Sequence, residues 1–155
     1  MQFERLKSAE DTSDTGASGD RYIVRLESGE PVMEMLTAFM QAIGVGFAYI
    51  GAIGAVRWAR LGYWNPQTKE YEFRDFDEQL EVLSLQGDCS QKDGEPFLHI
   101  HCVLGRRDFS TIGGHLNEAR VHPTLEVWIR TESAQVSRGP DPASGLDLLD
   151  LKGRA

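Results

Sequence analysis

The chain has little of what most readily announces a chemistry. Among its 155 residues only two are cysteine, Cys89 and Cys102, and four are histidine. Two cysteines so far apart form neither a CxxC motif nor a disulfide framework, so reduced thiols in a cytoplasmic protein are expected. The longest apolar run, residues 43–56, is too short to span a bilayer and is broken by Gly44, Gly46, Gly51 and Gly54. No basic start leads into an apolar stretch at the N-terminus, so nothing there signals secretion. A P-loop, a dinucleotide fingerprint and a nucleophile elbow are all missing, and "GAIGAV" has neither the lysine nor the spacing of a phosphate loop. Basic residues are too few and too scattered for a polyanion site. The net charge is −8, and Arg106-Arg107 is an isolated pair among interleaved charges. Direct DNA binding is therefore not expected, because phosphate contacts need clustered Lys and Arg.

What remains is an ordinary composition, 41% hydrophobic and 26% charged, long enough for one domain with a sizeable core. Residues 1–20 are polar and rich in Ser, Thr, Asp and Gly, which predicts a flexible lead-in. Residues 21–134 should form the domain and residues 135–155 a C-terminal tail. "RYIVRL" at 21–26 alternates as a half-buried strand does. A helix follows, with Ser28 as its N-cap, Pro31 in its first turn, and Val32, Leu36, Phe39 and Ile43 on one stripe. Gly44 should end it.

Strand patterns take up most of the rest. "FAYIGAIGAVRWARLGYW" reads as a glycine-broken strand followed by an alternating one, and "NPQT" as a hairpin turn into "KEYEFRDF". Residues 79–86, "QLEVLSLQ", predict a strand with Leu80 and Val82 on one face and Glu81, Leu83 and Leu85 on the other. "DCSQKDGE" reads as a loop, and "TLEVWIR" at 124–130 as the last strand. The sum is an α+β fold: a mostly antiparallel sheet with one principal packed helix. The tail's leucines, Leu146, Leu148, Leu149 and Leu151, suggest docking on the chain itself or on a neighbouring subunit.

Chemistry concentrates in the histidines. "PFLHIHCVLG" puts His99 and His101 on one face of a strand, while Cys102 points to the other face. His115 follows in "TIGGHL", where two glycines allow a tight turn or a close approach, so a loop position is expected for it. Three imidazoles suit zinc, which keeps a fourth position for water when the site is catalytic. The same histidines could instead be structural groups bonded to backbone carbonyls. His122, before Pro123, should be extended. Glu81 and Glu126 lie in apolar strands. Each either faces solvent or acts as a general base beside a metal-bound water.

The ordered series "RYIVRLESGEPV", "IGAIGAV", "QLEVLSLQG", "PFLHIHCVLG", "TIGGHL" and "TLEVWI" resembles the PPC domain, the plant and prokaryote conserved domain once classed as a domain of unknown function. The likeness spans residues 21–130 and is to the stand-alone prokaryotic type. It implies an α+β homotrimer and a zinc ion on His99, His101 and His115. It also implies a fold similar to acetolactate decarboxylase, which is an analogy of fold and ligand type. The plant members add an Arg-Gly-Arg AT-hook that this sequence lacks. Trp58, Tyr63, Trp64 and Trp128 are candidates for the subunit interface, with at least one expected in the core. Three functions stay open: a trimeric zinc-binding protein, a metal-dependent enzyme on a small organic acid or ester, and a DNA-associated factor acting through protein partners.

Overall fold

The alternation seen in the sequence is realised most simply in β2 (Arg21–Glu27), where Tyr22, Val24 and Leu26 are buried and their neighbours are exposed. The structure, a computed structural model, describes residues 1–6, 19–151 and 153. Its elements run β1 (Gln2–Leu6), β2, α1 (Val32–Ile43), β3 (Phe47–Asn65), β4 (Glu70–Phe76), β5 (Leu80–Lys92), β6 (Glu95–Gly105), β7 (Thr111–Glu132), β8 (Arg138–Asp141) and β9 (Leu146–Leu149). All the ladders between these strands are antiparallel. The large sheet has the order β1-β2-β7-β6-β5-β3-β4, and a further ladder joins β7 to β3. The ladders β7–β6, β6–β5, β5–β3 and β3–β7 thus close on themselves, leaving those strands no free edge there. The mostly antiparallel sheet with one helix is the expected α+β class.

The helix packs on β6 and β7 and buries Val32, Leu36, Phe39 and Met40. These join Leu98, Ile100, Leu104, Leu116 and Val121 in one apolar cluster. Gly44 closes the helix in the left-handed conformation at φ 63°, as its position predicts. The N-terminus departs from expectation. Pro31 is the cap, and the amide of Met33 donates to the Glu118 carboxylate at 2.9 Å. Ser28 lies outside the helix, its hydroxyl 2.8 Å from Nδ1 of His122. The orphan amide is satisfied from across the fold, so no local serine is needed.

Four further expectations are corrected. Residues 2–6, assigned to the flexible lead-in, form β1 on the edge of β2, and residues 7–18 lie outside the described residues. A polar strand can pair through its backbone alone, and here Phe3 adds an edge-to-face contact with Phe39. "DCSQKDGE" is the continuation of β5 and a two-residue hairpin turn. Asp93 and Gly94 both take positive φ there, 53° and 85°, as an Asp-Gly turn favours. Leu85 is buried on the side of Val82, because a bulge between Val82 and Ser84 re-phases β5 and leaves Leu83 exposed. None of the four large aromatics is in the buried core: Trp58 and Trp64 are half-buried, and Tyr63 and Trp128 are exposed.

Two tests follow from this packing. Leu36→Ala removes a fully buried side chain at the helix–sheet junction and should cost about 2–5 kcal/mol in urea unfolding. Burial pushes both the Cys89 and the Cys102 thiols from 9.0 up to about 12, which lowers the thiolate fraction at pH 8 about a thousandfold. Native protein should resist a thiol reagent at that pH and react at both cysteines once unfolded.

Candidate metal centre

Strand pairing assembles the histidines. On β6, His99 and His101 lie two residues apart between the buried Leu98, Ile100 and Cys102, so both rings leave the sheet on its outer side. Across the ladder to β7, His101 is directly opposite His115. His115 therefore comes from a strand, which corrects the loop position expected for it. The Gly-Gly pair makes a close approach, not a turn: a Cβ on Gly114 would stand 2.9 Å from the carbonyl oxygen of Gly62 on β3.

The three rings face one another, with centroids 5.1 Å, 5.4 Å and 5.5 Å apart. One ligand atom from each lies within 4.8 Å of the others. Nε2 of His99 and Nε2 of His101 are 3.3 Å apart. Without an ion, that contact is a hydrogen bond between one protonated and one bare nitrogen. A tetrahedral zinc with nitrogens at 2.0–2.1 Å would hold two of them about 3.3–3.4 Å apart, the same spacing. Bringing the widest pair to that separation takes about 1.5 Å of side-chain movement at most.

The electrostatics also fit a cation. Burial first, with the neighbouring His99 and His101 adding to it, pushes the His115 pKa down to about 4. His99 is likewise lowered, first by burial, then by the Arg138 guanidinium and His101, with Asp88 opposing. Both rings are neutral at pH 7 and keep lone pairs to offer. Nδ1 of His115 is buried with no hydrogen-bond partner, an orphan of the kind that marks a functional site. The donor set is thus three imidazoles, His99 and His115 half-buried and His101 exposed.

Around them stand groups that sequence reasoning missed. Tyr71 of β4 lies against the His115 ring at 4.8 Å. Asp88 of β5 is opposite His99, its carboxylate 3.9 Å from Nδ1, and Arg138 of β8 is 3.3 Å from the same nitrogen. Only the β5–β6 register could have revealed Asp88, and the extension of β5 through "DCSQK" hid it. No sequence signal marked Arg138.

The candidate carboxylates are not brought to the histidines. Glu81 is exposed opposite Gly105, five residues along β5 from Gln86, the partner of His101. That is roughly 15 Å of strand. Glu126 is exposed on β7 between Arg25 and Ile53. Both take the outward positions of alternating strands, so within one chain neither serves as a base at this group. Cys102 faces the core, and His122 is engaged with Ser28.

Comparison with known proteins gives this arrangement its context. No curated protein matches the chain. A metal-containing protein from Archaeoglobus fulgidus is 39% identical, with a TM-score of 0.80 over 84% of this chain and 93% of that one. A suggested DNA-binding protein from Bacteroides thetaiotaomicron is 30% identical, with a TM-score of 0.84 over 96% of each chain. The α-acetolactate decarboxylase of Bacillus subtilis shares the fold alone, at 14% identity and a TM-score of 0.54 over 79% of this chain and 57% of that one. The family model of the Plants and Prokaryotes Conserved domain matches residues 13–133. Because that segment carries the helix, strands β2 to β7 and all three histidines, the chain belongs to the Plants and Prokaryotes Conserved (PCC) domain family.

Proposed function

We propose that this protein binds one divalent ion per chain, zinc, through His99, His101 and His115. The observation that carries the reading is the close set of three imidazole nitrogens, with one pair already at the tetrahedral ligand spacing. The likeness to a metal-containing archaeal protein supports it. Three protein ligands leave a fourth position, and the exposure of His101 turns that position toward solvent. Zinc bound there supplies a Lewis acid and an acidified water. The chain's own residues hold the ion, keep His99 and His115 uncharged and wall one side with Tyr71.

An open fourth position also favours a second reading, a metal-dependent enzyme on a small organic acid or ester. With Glu81 and Glu126 remote from the group, such chemistry would need a base from elsewhere, so metal binding is the primary reading. DNA enters through the name of the Bacteroides relative, but a net charge of −8 favours contact through protein partners over direct contact.

The proposal includes assembly as a homotrimer in the cytoplasm. Ile23, Tyr49, Ile53, Leu83 and Trp128 are between 40% and 53% exposed and border a groove of about 790 Å³. So much contiguous apolar surface on one face suits contact between copies. Purified without tag or added metal, the protein should contain about one zinc per chain by elemental analysis. The His99→Ala, His101→Ala double variant should lose it while keeping its far-ultraviolet dichroism. Absence of metal in the parent, and none taken up from added zinc, would remove the reading. Light scattering should give three times the 17.3 kDa of one chain. Leu83→Asp with Trp128→Asp should reduce that to a single chain; an unchanged mass would place the contact elsewhere.

A further inference from the structure

The C-terminal hairpin lies beyond the matched segment, yet it reaches the histidine group through one side chain. Arg138 of β8 is 5% exposed and all three of its nitrogens are engaged. Nε donates to Ser90 Oγ at 2.8 Å, and Nη1 to the Asp147 carbonyl at 3.1 Å. Nη2 donates to both oxygens of Asp88 at 3.0 Å and approaches Nδ1 of His99 at 3.3 Å. A guanidinium committed in this way acts on its neighbours in the fold and not on a ligand.

The hairpin that carries it is fixed at several points. The Gln91 amide donates to the Val136 carbonyl at 2.9 Å, and Lys92 pairs with Asp147 at 2.5 Å. From the β3–β4 turn, Lys69 donates to the Pro142 carbonyl at 3.2 Å. Arg138 is thereby delivered to one place.

His99 Nδ1 meets two neighbours of opposite character there. The Arg138 N–H is a donor and favours the tautomer with its proton on Nε2, shared with His101. The Asp88 carboxylate, 3.9 Å away, is an acceptor and favours the proton on Nδ1. Only the second tautomer bares the Nε2 lone pair toward His101 and His115. Ligating imidazoles commonly give their other N–H to a carboxylate, and losing that partner typically lowers metal affinity 10–100-fold.

We propose that Asp88 and Arg138 are positioning residues for the metal centre: with a metal on Nε2, His99 Nδ1–H donates to the Asp88 carboxylate, and Arg138, supplied by the hairpin, holds that carboxylate in place. The proposal rests on the metal reading above. It makes the C-terminal hairpin part of the site and not an appended tail.

The test uses the full chain, Asp88→Asn and Arg138→Lys, singly and together. Zinc affinity is measured by competition with a chromophoric chelator, and the visible spectrum of the cobalt-loaded form reports ligand geometry. Dichroism checks the fold. Asp88→Asn is nearly isosteric and decides the matter should Arg138→Lys fail to fold. The expected result is a folded Asp88→Asn variant with zinc affinity lowered 10–100-fold and altered cobalt bands. Arg138→Lys should lose less, and the double variant no more than Asp88→Asn alone. A folded Asp88→Asn variant with affinity within about twofold of the parent and the same cobalt spectrum overturns the positioning role while leaving the metal site standing. A parent that takes up neither metal overturns both.

Discussion

The ladder between β6 and β7, which sets His101 opposite His115, is the constraint on which the site depends. Side chains alternate with a period of two, so a slip of one residue would send His115 into the core and Leu116 out to solvent. What prevents the slip is burial on one face. Leu98, Ile100, Cys102 and Leu104 of β6 and Leu116, Ala119 and Val121 of β7 all enter the apolar cluster beneath the helix. The core's demand for those residues fixes the register, and the register fixes the histidines. Gly114 allows β7 to lie against β3 at the same level, so the closed ring of strands and the site share one junction.

Three imidazoles so close would repel one another if protonated, and half-burial would add a desolvation cost at His99 and His115. The fold resolves this by keeping His99 and His115 neutral, through burial first, then through Arg138 at His99 and the neighbouring histidines at both. The consequence is a pair of uncharged imidazoles, and at His115 a buried Nδ1 with no hydrogen-bond partner. The one strongly charged arrangement nearby is Asp88 with Arg138, and it is internally balanced. An acidic chain can thus present a cation site with no net negative charge in its first ring of atoms.

How far the sequence disclosed this depends on the range of the interaction. Alternation in β2 and β6 and the apolar stripe of α1 are local, and they yielded the α+β class, the helix and the shared face of His99 and His101. Gly44 ended the helix for a local reason too. The errors came where a distant partner decided the outcome. Glu118 satisfies the helix N-terminus in place of Ser28. The bulge at Leu83 lies where β5 pairs with β6 on one side and β3 on the other, and it moved Leu85 to the core. Polar residues 88–92 read as a loop because their burial is supplied by β6 and the C-terminal hairpin, although the Asp93-Gly94 pair did carry a local turn signal. That misreading concealed Asp88, and with it the support behind His99. Arg138 was invisible, since an arginine in a Gly-Pro-rich tail becomes meaningful only once the hairpin docks.

The apolar groove and the histidines are not separate features of the surface. Gln86 lines the groove, and it is also the β5 residue paired with His101. Leu83 stands beside it on the same strand, and Val103 is the next outward residue after His101 on β6. A neighbouring copy seated on the groove would therefore meet the rim of the metal group. This bears on the choice between a binding site and a catalytic one. Among the described residues a single chain offers three nitrogens, an aromatic wall and a committed Asp–Arg pair, but no free carboxylate beside the three histidines. Fold likeness to a decarboxylase does not supply one, because activity belongs to the groups at a site and not to the scaffold. Assembly across the groove, as proposed above, would be the route by which a proton-transferring group could arrive, so an oligomer, and not the fold, would decide whether a metal held by these histidines could do more than bind.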